Sequence, residues 1–216
     1  MRDLYPGYDV LAKRNTPSWN DMTRRVIDER LGIDPAAHSF FSDAEWTTLL
    51  AVCDRIIPQP PERSRPVPIA ALLDRKLSRG LHDGYRHAQL PPAQDAWKRG
   101  LFAIDREAAA LHDALFAELA ADQQDALLRQ MQDGKLYDAA WRDMPCALFF
   151  KARLLPDIVK TYYAHPTAWN EIGWGGPASP RGYVRLRADF RDPWEAAESK
   201  PGRATQALRE NRRVGR

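Results

Sequence analysis

Between Tyr162 and Tyr183 the chain runs through a segment too aromatic for a solvated linker and too rich in Gly and Pro for a regular element. Gly173, Gly175, Gly176 and Gly182 open backbone angles closed to other residues, while Pro166, Pro177 and Pro180 fix their own φ and remove amide donors. Regular structure is therefore expected to stop near Tyr163. Four rings, Tyr163, Trp169, Trp174 and Tyr183, then need covering, and a Tyr or Trp side chain buries about 150–250 Å². An irregular aromatic segment of this length is uncommon in a domain unless it is functional. It either straps its own core or docks on another protein, and the two readings can each hold for different rings.

Upstream, the sequence reads as helices with marked ends. Ser42 followed by Glu45 forms a capping box, and Phe41 and Trp46 stand at the positions of a hydrophobic staple, so a helix is expected to start at Asp43. Trp46, Leu49, Leu50, Cys53, Ile56 and Ile57 recur at three- and four-residue steps until Pro58 ends the pattern. Gln59 to Pro68, with four prolines, is an exposed connection. Helices are predicted from about Ile69 to Arg79 with Gly80 as C-cap, and after Pro91-Pro92 with Trp97, Leu101, Ile104, Ala108 and Leu111 inward. Gly100 inside the latter costs about 1 kcal/mol relative to Ala, which points to close helix packing there. A short helix carries Leu127, Leu128 and Met131, with Asp122 as its expected N-cap and Gly134 as its stop. A last long helix after Pro145 should be kinked or split by Pro156. The N-terminal arm adds Trp19 to Leu31, ended by Gly32.

No stretch sustains period-two alternation, so the expected fold is all-α: an irregular bundle of about six helices with extended N- and C-terminal arms. The implied division is an N-terminal arm with one helix over 1–39, a helical domain over 40–164, a Gly/Pro/aromatic strap over 165–192 and a basic tail over 193–216.

Charge is concentrated at one end. From Ser199 to Arg216 six basic residues face Glu210 alone, so the formal net charge of +3 describes a tail, expected to be frayed and solvated, and no basic face on the body. No reader motif for nucleic acid is present. Cys53 and Cys146 lack Cys-x-x-Cys spacing; Cys53 falls on an apolar helical face, whereas Cys146 opens a helix, where it can be exposed to a partner. No apolar run approaches the roughly 20 residues of a membrane span. Arg24-Arg25 does not read as a twin-arginine export signal, because Asp28, Glu29 and Arg30 occupy the place of the apolar region.

Chemistry-bearing patterns are sparse. His82 and His87 are five apart, with no neighbouring Cys or His-Glu-x-x-His context, and His38, His112 and His165 are scattered, so surface or capping roles are expected. There is no Cys-x-x-Cys-His, no Gly-x-Gly-x-x-Gly and no phosphate-binding Gly-x-x-x-x-Gly-Lys loop. Ser42 is used as a cap, and Ser179 has no nucleophile-elbow pattern. The expectation is no catalytic, cofactor-binding or metal-binding residue in this chain.

The aromatic segment together with the helices before it resembles the gluconate 2-dehydrogenase subunit 3 family over about Phe40 to Tyr183. The residues that carry the resemblance are Phe41-Ser42-x-x-Glu45 with Leu49, then Asp54-Arg55-Ile56-Ile57-Pro58, and Asp105 with Phe116 and Leu119. They continue with Gln124 and Leu128, then Tyr162-Tyr163-Ala164-His165-Pro166 through to Gly182-Tyr183. The resemblance implies a cofactor-free small subunit that accompanies a flavoprotein of the glucose-methanol-choline (GMC) oxidoreductase type. That partner would hold FAD and act on sugars, sugar acids or polyols, with a c-type cytochrome subunit taking the electrons. It also implies a role in folding, maturation or export of the catalytic subunit. Export would then rely on a signal carried by the partner, the alternative being that the pair works in the cytoplasm. Tyr163, His165, Trp169, Trp174, Gly175, Gly176, Arg181 and Tyr183 are the expected interface. The competing readings are a basic-tailed helical module that binds nucleic acid or an anionic surface, and a small α-helical enzyme.

Overall fold

The Glu45 carboxylate accepts the backbone N–H of Ser42 at 2.9 Å while the Ser42 hydroxyl accepts that of Glu45 at 3.4 Å, so α2 (Asp43–Ile56) begins at the capping box the sequence announces. A computed structural model describes residues 3–63, 65–81, 84, 86–183 and 191–215; His82 lies outside them. The described residues are helical or irregular, and their one extended pairing is an isolated parallel bridge between Trp19 and Ser179. The fold is all-α. The chain divides into two units, one spanning Ile33–Thr161 and the other joining Met1–Gly32 with Tyr162–Arg216.

In the first unit α2 packs on α3 (Ile69–Ser78), α4 (Ala93–His112) and α5 (Ala121–Asp133). Leu49, Val52, Leu73, Leu101 and Ile104 supply the buried apolar face that helical spacing predicts. Gln59 closes the proline-rich connection by pairing its side-chain amide with both the N–H and the carbonyl of Val67, at 2.7 and 2.9 Å. The cap of α5 differs from expectation. Asp122 lies within the first turn, and Gln123 instead accepts the N–H of Ala120 at 3.0 Å, so the helix starts at Ala121. After Pro145 the last long helix breaks into α6 (Cys146–Phe149), a π turn (Phe150–Leu154) and α7 (Leu155–Tyr163). Pro156 has no N–H for the carbonyl four residues back, and the wider π turn just before it absorbs that missing bond. Cys146 is buried rather than exposed, its thiol directed at the Leu136 carbonyl 3.5 Å away.

Carboxylates frame this unit. Asp74, 2 % exposed, accepts the backbone N–H groups of Ser39, Phe40 and Phe41 at 2.9–3.2 Å and so fixes the approach to α2. Asp105 accepts from the Thr48 hydroxyl at 2.7 Å and the Phe116 N–H at 3.1 Å; burial lifts its carboxyl above the usual range. Buried Asp157 receives the indole N–H of Trp97 at 2.9 Å, and buried Glu107 that of Trp141 at 2.9 Å. Each has donors brought to it, the condition under which a carboxylate can be buried.

Gly100 confirms the close approach inferred from its place in α4. A Cβ there would sit 2.2 Å from the Phe149 ring, which is wedged edge-on against Trp97 with centroids 5.7 Å apart. Gly100→Ala is therefore expected to destabilise the chain although Ala gains about 1 kcal/mol of helix propensity. Overpacking of a filled core typically costs about 1–3 kcal/mol. Chemical denaturation of Gly100→Ala and of Gly100→Ala/Phe149→Leu should show the loss and its partial recovery.

Candidate partner interface

Regular structure does not stop at Tyr163. The His165 ring accepts the N–H of Thr167 at 3.3 Å, Pro166 fills the first helical position, and Gly173 ends α8 (Pro166–Ile172) at φ +66°. Pro at the start and Gly just past the end punctuate a short helix rather than forbid one. α8 turns Trp169 inward, 1 % exposed, where its indole N–H donates to the Tyr163 carbonyl at 2.6 Å.

Trp169 is the centre of a small core built largely from the chain's two ends: Tyr8, Val10, Trp19, Ile27, Ala196 and Val214. Val10 opens a short 3₁₀ turn (Val10–Lys13), and its N–H donates to the Asn170 side chain at 2.8 Å. Trp19 ends just ahead of α1 (Asp21–Leu31), whose Arg30 donates to the Ala164 carbonyl at 2.7 Å. The Asn20 N–H donates to the Ser179 carbonyl at 2.9 Å. Arg24, half of the arginine pair noted in the sequence, donates to the main-chain carbonyls of Trp19 and Arg14, at 2.5 and 3.1 Å.

The strap is held by close contacts. A Cβ on Gly176 would lie 2.9 Å from Trp169 and 3.3 Å from Val10, and one on Gly175 would lie 2.7 Å from the Tyr183 hydroxyl. That hydroxyl donates to the Gly176 carbonyl. Arg181 pairs with both oxygens of buried Asp192 at 3.1 Å and lies over the Trp194 ring, 4.6 Å from its centroid.

Nor is the tail a frayed end. α9 (Ala204–Asn211) buries Ala207 and Asn211, and the Asn211 side chain bonds Ala197 in both directions and donates to the Pro6 carbonyl at 3.0 Å. Arg209 on this helix, and Lys200, Arg203, Arg212 and Arg213 beside it, are exposed while the buried positions of the helix are neutral, so net charge says nothing about order here. The sequence-based division set N-terminal arm, strap and tail apart; in the structure the arm as far as Gly32 shares one unit with strap and tail, and 33–39 belong to the other.

The expected interface residues thus fall into two sets. His165, Trp169, Gly175 and Gly176 are buried within this unit, and Arg181 and Tyr183 are engaged with its own groups. Tyr163 and Trp174 remain outside, 44 % and 41 % exposed, and Ile172 joins them at 47 %. Trp174 stands edge-on against Trp169, centroids 4.9 Å apart, and its backbone N–H donates to the Trp169 carbonyl at 2.9 Å. The Trp174 ring therefore rests on a fixed ring beneath, while Tyr163 is tied to the same indole through its backbone carbonyl and stands edge-on against Tyr162.

Lys13 was not singled out by the sequence. It is fully buried; its ammonium donates to the Pro177 carbonyl at 3.0 Å and lies 5.5 and 5.8 Å from the centroids of Trp19 and Tyr183. Burial pushes it down to about 8 against the opposing pull of Asp192 and Glu195. Burial also raises the Tyr8 phenol well above its usual range, helped by the charges of Tyr183, Glu195 and Asp9. Among the described residues no group of three or more His, Cys, Asp or Glu is arranged to hold a metal, and no helix is long and apolar enough to cross a membrane.

Residues 43–176, more than half of the chain, match the family model described as Gluconate 2-dehydrogenase subunit 3. No curated protein and no solved structure matches the chain.

The buried ammonium gives a pH signature. Between pH 8 and the ordinary lysine value of 10.5 the unfolded chain holds a proton at Lys13 that the native state has released, so stability rises with pH. Tyr8 opposes this above its ordinary value of 10.0, where the unfolded chain loses a proton the native state keeps. Denaturation from pH 8 to pH 10 should therefore show the stability of Lys13→Met falling relative to the wild type by about 1 kcal/mol per pH unit, the ceiling being set by one proton. A difference independent of pH would place the titration elsewhere.

Proposed function

The chain belongs to the gluconate 2-dehydrogenase subunit 3 family, a subunit of a dehydrogenase complex, and on that premise we propose that it is the companion of a separate GMC-type flavoprotein. It binds that catalytic subunit, assists its folding, maturation or export, and stays with it in the mature complex. FAD belongs to the partner in this reading, as does the sugar, sugar-acid or polyol substrate, and electrons leave through a c-type cytochrome subunit. The observation that carries the proposal is the outward pair Tyr163 and Trp174, flanked by Ile172, on a rigid buried Trp169. Large aromatic side chains held in one orientation lose little entropy on docking and dominate interface energetics.

The reading as a nucleic-acid or anionic-surface module draws less support. The basic tail is folded, and Lys200, Arg203 and Arg213 line a cleft of about 570 Å³ shared with Glu195, Glu198 and Glu210. Alternating signs at this spacing offer a polyanion no continuous stripe.

Interior and outward rings should separate by experiment. Trp174→Ala and Tyr163→Ala are expected to weaken binding of the co-expressed flavoprotein by about 2 kcal/mol each while shifting the melting temperature little. Trp169→Ala should lose about 3–5 kcal/mol of stability, as emptied core sites do. If Trp174→Ala binds normally and melts early, the whole segment is an internal strap and the proposal fails.

A further inference from the structure

The backbone of Arg142 sits at φ 52° and ψ −122°, the first central position of a tight turn closed by the Met144 N–H on the Trp141 carbonyl at 3.0 Å. That region is kept for glycine, and a side-chain-bearing residue persists there only where its surroundings hold it. Buried Glu107 does the holding: it accepts the Asp138 N–H at 2.8 Å and the Trp141 indole N–H at 2.9 Å, tying the segment to α4. Beside the turn opens a slot of about 360 Å³ with Leu136, Trp141, Met144, Pro145 and Cys146 in its walls. Tyr137 stands at its rim, 82 % exposed, the most exposed large hydrophobic side chain among the described residues.

Charge around the slot is uneven. Arg99 pairs with Asp143 at 2.6 Å and Arg106 with Asp138 at 3.6 Å, which uses the carboxylate of the turn and the one just before it. Between these arginines on α4 lies Phe102, 59 % exposed. Arg142 is exposed and makes no side-chain hydrogen bond and no ion pair among the described residues; its charge acts at longer range on Asp143, which Arg99 already pairs. Tyr and Arg at an open, largely apolar slot, with an exposed Phe on the helix that anchors its turn, is the composition of an interface anchor.

We propose that Tyr137, Arg142 and Phe102 form a second docking surface, which takes a segment of the catalytic subunit that carries a carboxylate next to an apolar side chain. The apolar side chain enters the slot and the carboxylate meets the Arg142 guanidinium, which accounts for an arginine held where glycine would be free of strain. The proposal rests on the companion-subunit reading above but not on the Tyr163 and Trp174 surface.

The test uses the full chain and the flavoprotein that co-purifies with it, with dissociation constants measured over a salt series. Arg142→Gly is expected to melt at or above the wild-type temperature yet bind about tenfold or more weakly at low ionic strength, the gap narrowing as salt rises. Tyr137→Ser should weaken binding at every salt concentration, and Arg142→Lys, which keeps the charge, should stay within about threefold of wild type. If Arg142→Gly and Tyr137→Ser bind as wild type while Trp174→Ala does not, the second surface is refuted and the companion reading stands. If no flavoprotein co-purifies, both fall. Loss of self-association in Arg142→Gly with unchanged flavoprotein binding would assign the slot to a second copy of this chain and overturn the proposal.

Discussion

Burial of one indole organises the part of this chain that its function concerns. Trp169 is covered only because something small approaches its ring closely and apolar side chains fill in around it, needs met by Gly176 and by a cluster that includes Val10 from the other end of the sequence. The strap therefore cannot reach its final form without the N-terminal segment. Gly215, where a Cβ would lie 1.9 Å from the Ala12 carbonyl, brings the C-terminal segment against the same 3₁₀ turn. Because the contacts are this close, the exposed Tyr163 and Trp174 inherit a defined position instead of sweeping through solvent. Pre-organisation of that kind lowers the entropic cost of docking.

Local signals were legible where one residue's chemistry settles one backbone group. The Ser42–Glu45 box, the stop at Gly134, the helix break near Pro156 and the tight packing at Gly100 all follow from hydrogen-bonding capacity or side-chain size within a turn or two of chain. Reading Pro166 and Gly173 as helix breakers failed for an instructive reason: both residues break a helix interior but favour its two ends, and only their spacing distinguishes the cases.

What the sequence withheld depends on partners far along the chain. Nothing near Lys13 marks it as buried; its neighbours in space are Pro177 and Tyr183, more than 160 positions away, and Trp19. Asn211 looks like one more polar residue in a basic tail, yet its amide satisfies Ala197 twice and Pro6 once, which lets the tail pack. The same limit applies to the aromatic segment. Composition showed that its rings needed cover but could not say which were covered from within, since that is decided by residues 8–19 and 194–214.

The Ile33–Thr161 unit shows a different use of polar groups. Asp74, Glu107 and Asp157 are buried, the setting in which catalytic carboxylates are found, but each is directed at the chain's own backbone or indole donors. A carboxylate whose acceptor positions are filled by fixed internal donors is a joint, and a joint is costly to disturb. Glu107 makes the point most directly, because the segment it anchors carries the strained Arg142. Strain in a loose loop would relax, whereas strain held from beneath by a buried carboxylate is stored, and the side chain it positions is exposed and makes no ion pair among the described residues. In both units, then, buried groups fix the backbone while the residues left exposed, Tyr163 and Trp174 in one and Tyr137 and Arg142 in the other, are those suited to meeting another protein.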